Sequence, residues 1–188
     1  MMSAQEPANP ARDQYLLPVL LALLGGCAVA LALGIYARLH HPTGFSLDIA
    51  GFSGALYAKA WLTTAAAVFA VIQLITASRM GRPAAAAWLR TLHRWSGRIA
   101  ILLTVPVIVH CIFALGFQTY SIRVLVHSVL GCFFYGAFVA KMLSLSITRH
   151  DARTRWVIPA LGGAVFLSLI GLWLTSALWL FTTQGVHS

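Results

Sequence analysis

Charged residues are scarce in this sequence. Only 9% of its 188 residues are Asp, Glu, Lys or Arg, whereas 60% are hydrophobic and the mean hydropathy is +0.83. Soluble domains carry about 25% charged residues, so this composition excludes an ordinary soluble domain. It also excludes a disordered chain, which needs low hydrophobicity. The three cysteines have no CxxC spacing, so neither a disulfide framework nor a zinc site is indicated.

Long apolar runs occur five times along the chain. They cover approximately residues 15–37, 54–77, 95–117, 122–147 and 157–181, and a membrane-spanning helix needs about 20 mostly apolar residues. Because a backbone in lipid must satisfy its own hydrogen bonds, each run is predicted to be a helix. The sequence therefore predicts an all-α, integral membrane bundle of five transmembrane helices over 15–182. Residues 1–14 are expected to form a flexible tail and 183–188 a short C-terminal tail.

The Lys and Arg residues are distributed unevenly between the two sides of this predicted bundle. One side holds Arg12, Arg79, Arg82, Arg90, Arg94, Arg98, Lys141, Arg149, Arg153 and Arg155, and the other holds Arg38, Lys59 and Arg123. The positive-inside rule then places the N-terminus inside and the C-terminus outside, and the expected location is the cell's cytoplasmic (inner) membrane. The same asymmetry explains the net charge of +9 without nucleic acid as a partner. The expected surroundings are the lipid bilayer.

Two of the seven histidines lie well inside predicted helices. His110 stands eight residues before Gln118, and His127 stands eight residues after Thr119, on either side of the turn between helices three and four. Equal distance from the turn of an antiparallel hairpin means equal depth, roughly 10 Å below its tip at 1.5 Å per residue. Intramembrane ionisable residues are candidates for function. Two imidazoles at one level can ligate a b-type haem from both sides, and such a haem serves electron transfer.

Small residues next to both histidines give the macrocycle room. Ala114 follows His110 by four residues and Gly131 follows His127 by four, so each pair shares a helix face. Pro106 is expected to kink helix three before His110. The predicted pocket walls are aromatic: Phe117, Phe134, Tyr135 and Phe138. The alternative is that both histidines bond to hydroxyls or carbonyls across helices and serve only to hold the helices together.

A second haem would need a ligand near the inner face. His93 lies at the inner edge beside Arg94 and Arg98, and only His150 is available to pair with it. One haem is therefore favoured over two. Otherwise His93 is a helix-start residue in the headgroup region, where the two arginines bind anionic lipid, haem propionates or a quinone.

The other histidines lie outside the predicted helices. His40, His41 and His187 belong to the outer face. They form a metal or quinone site if those ends of the chain meet, and are otherwise solvated.

Two local patterns are similar to known membrane families. Val126-His127-Ser128-Val129-Leu130-Gly131 resembles the His-Ser-x-x-Gly helix start of transmembrane cytochrome b561 proteins. Leu92-His93-Arg94-Trp95-Ser96-Gly97-Arg98 resembles a His-Arg-x-x-Gly-Arg element of bacterial membrane families, some of them related to b-type cytochromes. The resemblance covers helices three and four. In the b561 families four histidines on four helices bind two haems, whereas helices one, two and five lack histidine here.

These observations predict a membrane b-type cytochrome with one haem b held by His110 and His127. It would pass electrons between the quinone pool and a redox protein at the outer side, as an electron-transfer subunit rather than as a stand-alone enzyme. No GxGxxG motif for a flavin or nicotinamide is present. The alternative is a haem-free membrane scaffold or accessory subunit of a larger, respiratory complex. A transporter is a third hypothesis, without inverted repeats to support it.

Overall fold

Five long helices make up the part of the chain that the structure describes. The computed structural model describes residues 10–45, 52, 54–80, 86–147 and 156–186, and regular structure in this part of the chain is entirely helical. The helices are α1 (Pro10–Leu39), α2 (Ala55–Met80), α3 (Ala87–Leu115), α4 (Ile122–Ile147) and α5 (Val157–Gln184). All five are long and apolar enough to cross a membrane. The predicted all-α bundle of five spanning helices is confirmed, and the protein is a multi-pass membrane protein.

Two helices change their winding in the same half of the bundle. α3 is α-helical over Ala87–Val109 and π-helical over His110–Leu115. α5 is π-helical over Leu174–Leu178, between α-helical segments. The first π-helical segment begins one turn after Pro106, which lacks the N–H that an α-helix would use. Single π-helical turns inside α-helices are frequent at functional sites.

The ends of two helices differ from the predicted ones. α3 begins at Ala87, eight residues before the expected start near Trp95, and α1 begins at Pro10. In the sequence, the arginines near the start of α3 look like part of a polar connection between helices. In the structure, Arg94 and Arg98 are exposed on the surface of a helix that continues through them. Of the predicted flexible tail, residues 10–14 are helical and residues 1–9 lie outside the described residues.

The distribution of large and small side chains is inverted relative to a soluble protein. Large apolar side chains are exposed, as on α1, where Leu17, Leu24 and Leu31 are 60–63% exposed. Buried positions hold mostly alanine, with serine and threonine among them, such as Ala66 and Ser144, both fully buried. Membrane helices pack through small residues and turn large apolar ones toward lipid. This distribution is consistent with a lipid bilayer around the protein.

The closest helix approach is between α1 and α4. A Cβ atom added to Gly136 would lie 2.6 Å from the carbonyl oxygen of Gly26 and 2.8 Å from the Cβ of Ala30. Gly26 meets Gly136 and Ala140 in the same way. Because neither glycine has a side chain, the two backbones come into direct contact. Glycine at both positions therefore allows α1 and α4 to pack this closely.

The helices pack in the order α1, α4, α5, α2, α3. α3 and α4, which are consecutive in the chain, do not pack closely against each other. At one end of this gap, α1 and the segment after it bond to the end of α3: Thr43 N donates to Phe113 O at 2.9 Å, and Phe117 N donates to Ala37 O at 2.8 Å. The gap is thus bounded by all five helices.

Candidate cofactor site

A cavity of about 630 Å³ fills the space between α3 and α4. Ligand pockets in proteins have volumes of about 300–1,000 Å³. Its walls are mostly apolar and include Ile108, Ile112, Leu169 and Leu172. Both π-helical segments border it, α3 through Cys111, Ile112, Ala114 and Leu115, and α5 through Thr175 and Ser176. α3 and α4, the helices predicted to bind a cofactor between them, are therefore separated by a cavity with the volume of a ligand site.

His127 faces this cavity with one ring nitrogen already engaged. Its Nδ1 lies 3.0 Å from the hydroxyl oxygen of Thr175. That hydroxyl donates to the carbonyl of Gly171 at 2.7 Å, so its lone pairs are left to accept from the Nδ1–H. Nε2 then carries the lone pair and is the nitrogen left to bind a cavity occupant. Metal-binding histidines show this arrangement, because a partner on the other nitrogen sets the tautomer and the ring orientation.

His110 is buried next to the cavity but does not line it. It is 7% exposed, and its Nε2 has no hydrogen-bond partner among the described residues. It borders a small pocket of about 10 Å³ with Ala58 and Pro106, and Lys59 and Val107 line both that pocket and the large cavity. Each histidine lies five residues from the end of its helix, His110 before Leu115 and His127 after Ile122. The structure thus places the predicted pair at the same end of the bundle, in adjoining pockets.

The predicted small residues and most predicted aromatic walls line the large cavity. Ala114 is buried and Gly131 is half-buried there. Phe117, Phe134 and Tyr135 line it too, whereas Phe138 is not among its walls. A Cβ added to Gly131 would find only a Leu172 methyl carbon at 3.9 Å, so this glycine leaves a small space beside His127.

A hydrogen bond between α3 and α4 forms the floor of the cavity. The hydroxyl of Tyr135 donates to Thr104, whose carbonyl and hydroxyl oxygens lie 2.9 and 2.8 Å away. Phe134 is packed edge-on against the Tyr135 ring with centroids 5.0 Å apart. These contacts separate the cavity from the other half of the bundle.

His93 belongs to a separate polar cluster between α2 and α3. Its Nδ1 lies 2.8 Å from the hydroxyl of Thr76, and that hydroxyl donates to Ile72 O. The side-chain amide of Gln73 donates to the His93 carbonyl and, at 2.7 Å, to the hydroxyl of Ser96. The cluster ties α2 to α3, and His93 lies in the second turn of α3 rather than at its start, as was expected.

The remaining predicted residues lie apart from the cavity. Arg94 and Arg98 are exposed, and the Arg98 guanidinium stacks on Trp95 at 5.2 Å. His40 stacks on Tyr36 with centroids 5.3 Å apart, and His41 is exposed. His150 and His187 lie outside the described residues. Within the described part of the chain, no group of three or more His, Cys, Asp or Glu residues could hold a metal ion.

Three cavity residues were missed in the sequence: Lys59, Arg123 and Thr175. The two cations were counted only for membrane orientation. Their early positions in apolar helices were an available signal, because intramembrane charges are costly and usually functional. Thr175 had no signal, because it meets His127 only through the packing of α5 on α4.

The donors of this site are those that a haem would take, although only His127 lines the large cavity. The hydrogen bond to Thr175 sets the tautomer of His127 and leaves the lone pair on Nε2. The buried Nε2 of His110 has no hydrogen-bond partner among the described residues, and Lys59 and Val107 lie between His110 and the cavity. Buried polar atoms without a partner are rare and call for an explanation such as a missing ion or cofactor. The large cavity, which His127 lines and His110 adjoins, has apolar walls and charged side chains at one end.

No match to this chain is found among curated proteins or among solved structures. Residues 19–188 match a family described as a family of unknown function (DUF6529). This match covers most of the chain, and the protein therefore belongs to that family.

Proposed function

We propose that this protein is a membrane b-type cytochrome whose single haem b occupies the cavity between α3 and α4. The observation that carries the proposal is His127, which lines a 630 Å³ cavity with its Nδ1 held by Thr175. A histidine that merely joins two helices would have no need of a cavity at its second nitrogen. Here the histidine lines a cavity whose walls include residues of every helix, and its Nε2 is not taken up by Thr175.

His110 is the second proposed ligand. Its unpartnered Nε2 is costly in a buried site, by about 1–3 kcal/mol. Val107 and Lys59, which line both pockets, separate the imidazole from the cavity, so His110 would have to turn past them to reach the cavity. The π-helical segment that begins at His110 lacks regular α-helical hydrogen bonding, which favours such an adjustment.

If His110 and His127 held a haem, the group would supply single-electron transfer. The chain's own residues hold the group, exclude water from its apolar side and place it near one end of the bundle. We infer that this end is the outer one, with the N-terminus inside the cytoplasmic membrane, because Lys and Arg are concentrated on the opposite side. The proposed exchange partners are the quinone pool and a redox protein at the outer face.

Absorption spectroscopy of the purified protein tests the proposal. The chain, produced with haem supplementation, should show a sharp Soret band, reduced α and β bands, and one extractable haem b per chain. His127→Ala and His110→Ala should each lose the low-spin spectrum, while His41→Ala, which changes an exposed histidine, should keep it. A colourless wild type with native helix content would overturn the proposal in favour of a haem-free accessory subunit. If His110→Ala keeps the wild-type spectrum, only the assignment of His110 as a haem ligand is wrong.

A further inference from the structure

The charged groups of the cavity lie at one end of it. Lys59 lies one turn from the start of α2 and Arg123 lies in the first turn of α4, at the same end of the bundle as His127. The opposite end is formed by Thr104, Phe134 and other uncharged residues. No aspartate or glutamate is among the described lining residues. The cavity is therefore cationic at one end, its mouth, and uncharged at the other, its floor.

Arg123 is held in place at this mouth. Its Nη1 donates to the carbonyl of Thr175 at 2.6 Å, and its guanidinium carbon lies 3.7 Å above the ring of Trp179. A guanidinium has five N–H donors, so several stay available for an anion. The same threonine that orients His127 thus also positions Arg123, through its carbonyl rather than its hydroxyl.

Lys59 has no such partner. Its ammonium group makes no hydrogen bond or ion pair with a described residue, although its side chain is half-buried in a mostly apolar wall. It lines both the cavity and the pocket of His110. A partly desolvated ammonium without a counter-charge is costly, and an anionic group on the occupant of the cavity would relieve that cost.

We propose that Lys59 and Arg123 bind the carboxylates of the cavity's occupant, which for the proposed haem are its two propionates. This inference rests on the proposed function, and it adds the direction in which the group is held. The carboxylate edge lies toward Lys59 and Arg123, and the apolar edge lies toward Phe134 and Tyr135. Charge-assisted hydrogen bonds of this kind are about twice as strong as neutral ones.

Comparing iron protoporphyrin IX with its dimethyl ester tests this inference. The ester keeps the iron and the ring but has no carboxylate. The protein is produced without haem, purified in detergent and titrated with each compound, and binding is followed at the Soret band. Wild type should bind the free acid at least about tenfold more tightly than the ester, the ratio that 1.4 kcal/mol corresponds to.

Four variants complete the experiment. Lys59→Met removes the charge at similar length and should lower the acid-to-ester affinity ratio about three- to tenfold, while Lys59→Arg should restore it. Lys141→Met is the matched control, since Lys141 is also half-buried but does not line the cavity. Because each variant's acid-to-ester affinity ratio is compared with that of wild type, differences in solubility between the two compounds cancel. Lys59→Gln serves as the neutral variant if Lys59→Met does not fold.

The outcomes separate this inference from the function on which it rests. If wild type binds acid and ester equally, or if Lys59→Met keeps the wild-type ratio, the carboxylate assignment is wrong and the haem proposal stands. If wild type binds neither compound while folded, both fail. A ratio that falls in Lys59→Met and stays unchanged in Lys141→Met supports the assignment.

Discussion

Replacing Gly136 by alanine should weaken the α1–α4 contact. The new Cβ would lie 2.6 Å from the carbonyl oxygen of Gly26 and 2.8 Å from the Cβ of Ala30. These are a backbone atom and the first side-chain atom of another helix, so no side-chain rotation removes the clash and the helices must separate. Overpacking of this kind costs about 1–3 kcal/mol. The higher helix propensity of alanine offsets about 0.5–1 kcal/mol of this loss of stability. The net loss of stability should be up to about 2.5 kcal/mol, and about 1–3 kcal/mol relative to a glycine-to-alanine change without the clash.

Gly163→Ala is the matched control for this prediction. Gly163 is also a helix glycine, but a Cβ added there would meet no atom within 4 Å. Only the gain in helix propensity remains, so this variant should be as stable as wild type or more stable by up to about 1 kcal/mol. Reversible unfolding in mixed detergent micelles, followed by circular dichroism, measures both variants. If Gly136→Ala unfolds at the same denaturant fraction as Gly163→Ala, the direct backbone contact between α1 and α4 does not exist as described.

Other expectations concern the cavity and its borders. Thr175→Val removes the acceptor for His127 Nδ1 and should weaken haem binding about 10–100-fold in a Soret titration; Ser176→Ala, which removes a neighbouring hydroxyl bonded only within its own helix, should not. Tyr135→Phe removes the hydrogen bond at the cavity floor and should cost about 1 kcal/mol in the micelle unfolding assay; unchanged stability would show that the bond contributes nothing. Gly116→Ala should cost about 1–3 kcal/mol in that assay, because φ 68° and ψ −172° are accessible only to glycine; a neutral result would contradict this backbone conformation.

Most of the fold followed from hydropathy. The five apolar runs predict five helices because an apolar segment in lipid has to satisfy its backbone hydrogen bonds within itself. The start of α3 was placed too late, since Arg90, Arg94 and Arg98 make its first turns look like a connection. Hydropathy alone does not distinguish a polar loop from a helix end whose arginines lie on its surface.

The candidate site was predicted in part. The depth of His110 and His127 follows from counting residues from the turn, and the structure gives both the same distance from the helix ends. Spacing along one helix does not show which neighbour a side chain faces. His110 faces the α2 side and His127 faces the cavity, a difference that depends on how α3 packs on α2. Whether the two histidines share a haem stays a prediction.

The sequence by itself determined the number of helices, their approximate positions and the residues available for function, because these depend on local composition and on the demands of lipid. The tertiary structure decided which helices meet. α1 pairs with α4 because Gly26 and Gly136 allow their backbones to touch, while α3 and α4 stay apart around a cavity. It also brought Thr175 to His127, across 48 positions of the chain. Such contacts depend on the matching of surfaces far apart in the sequence, and no local pattern encodes them.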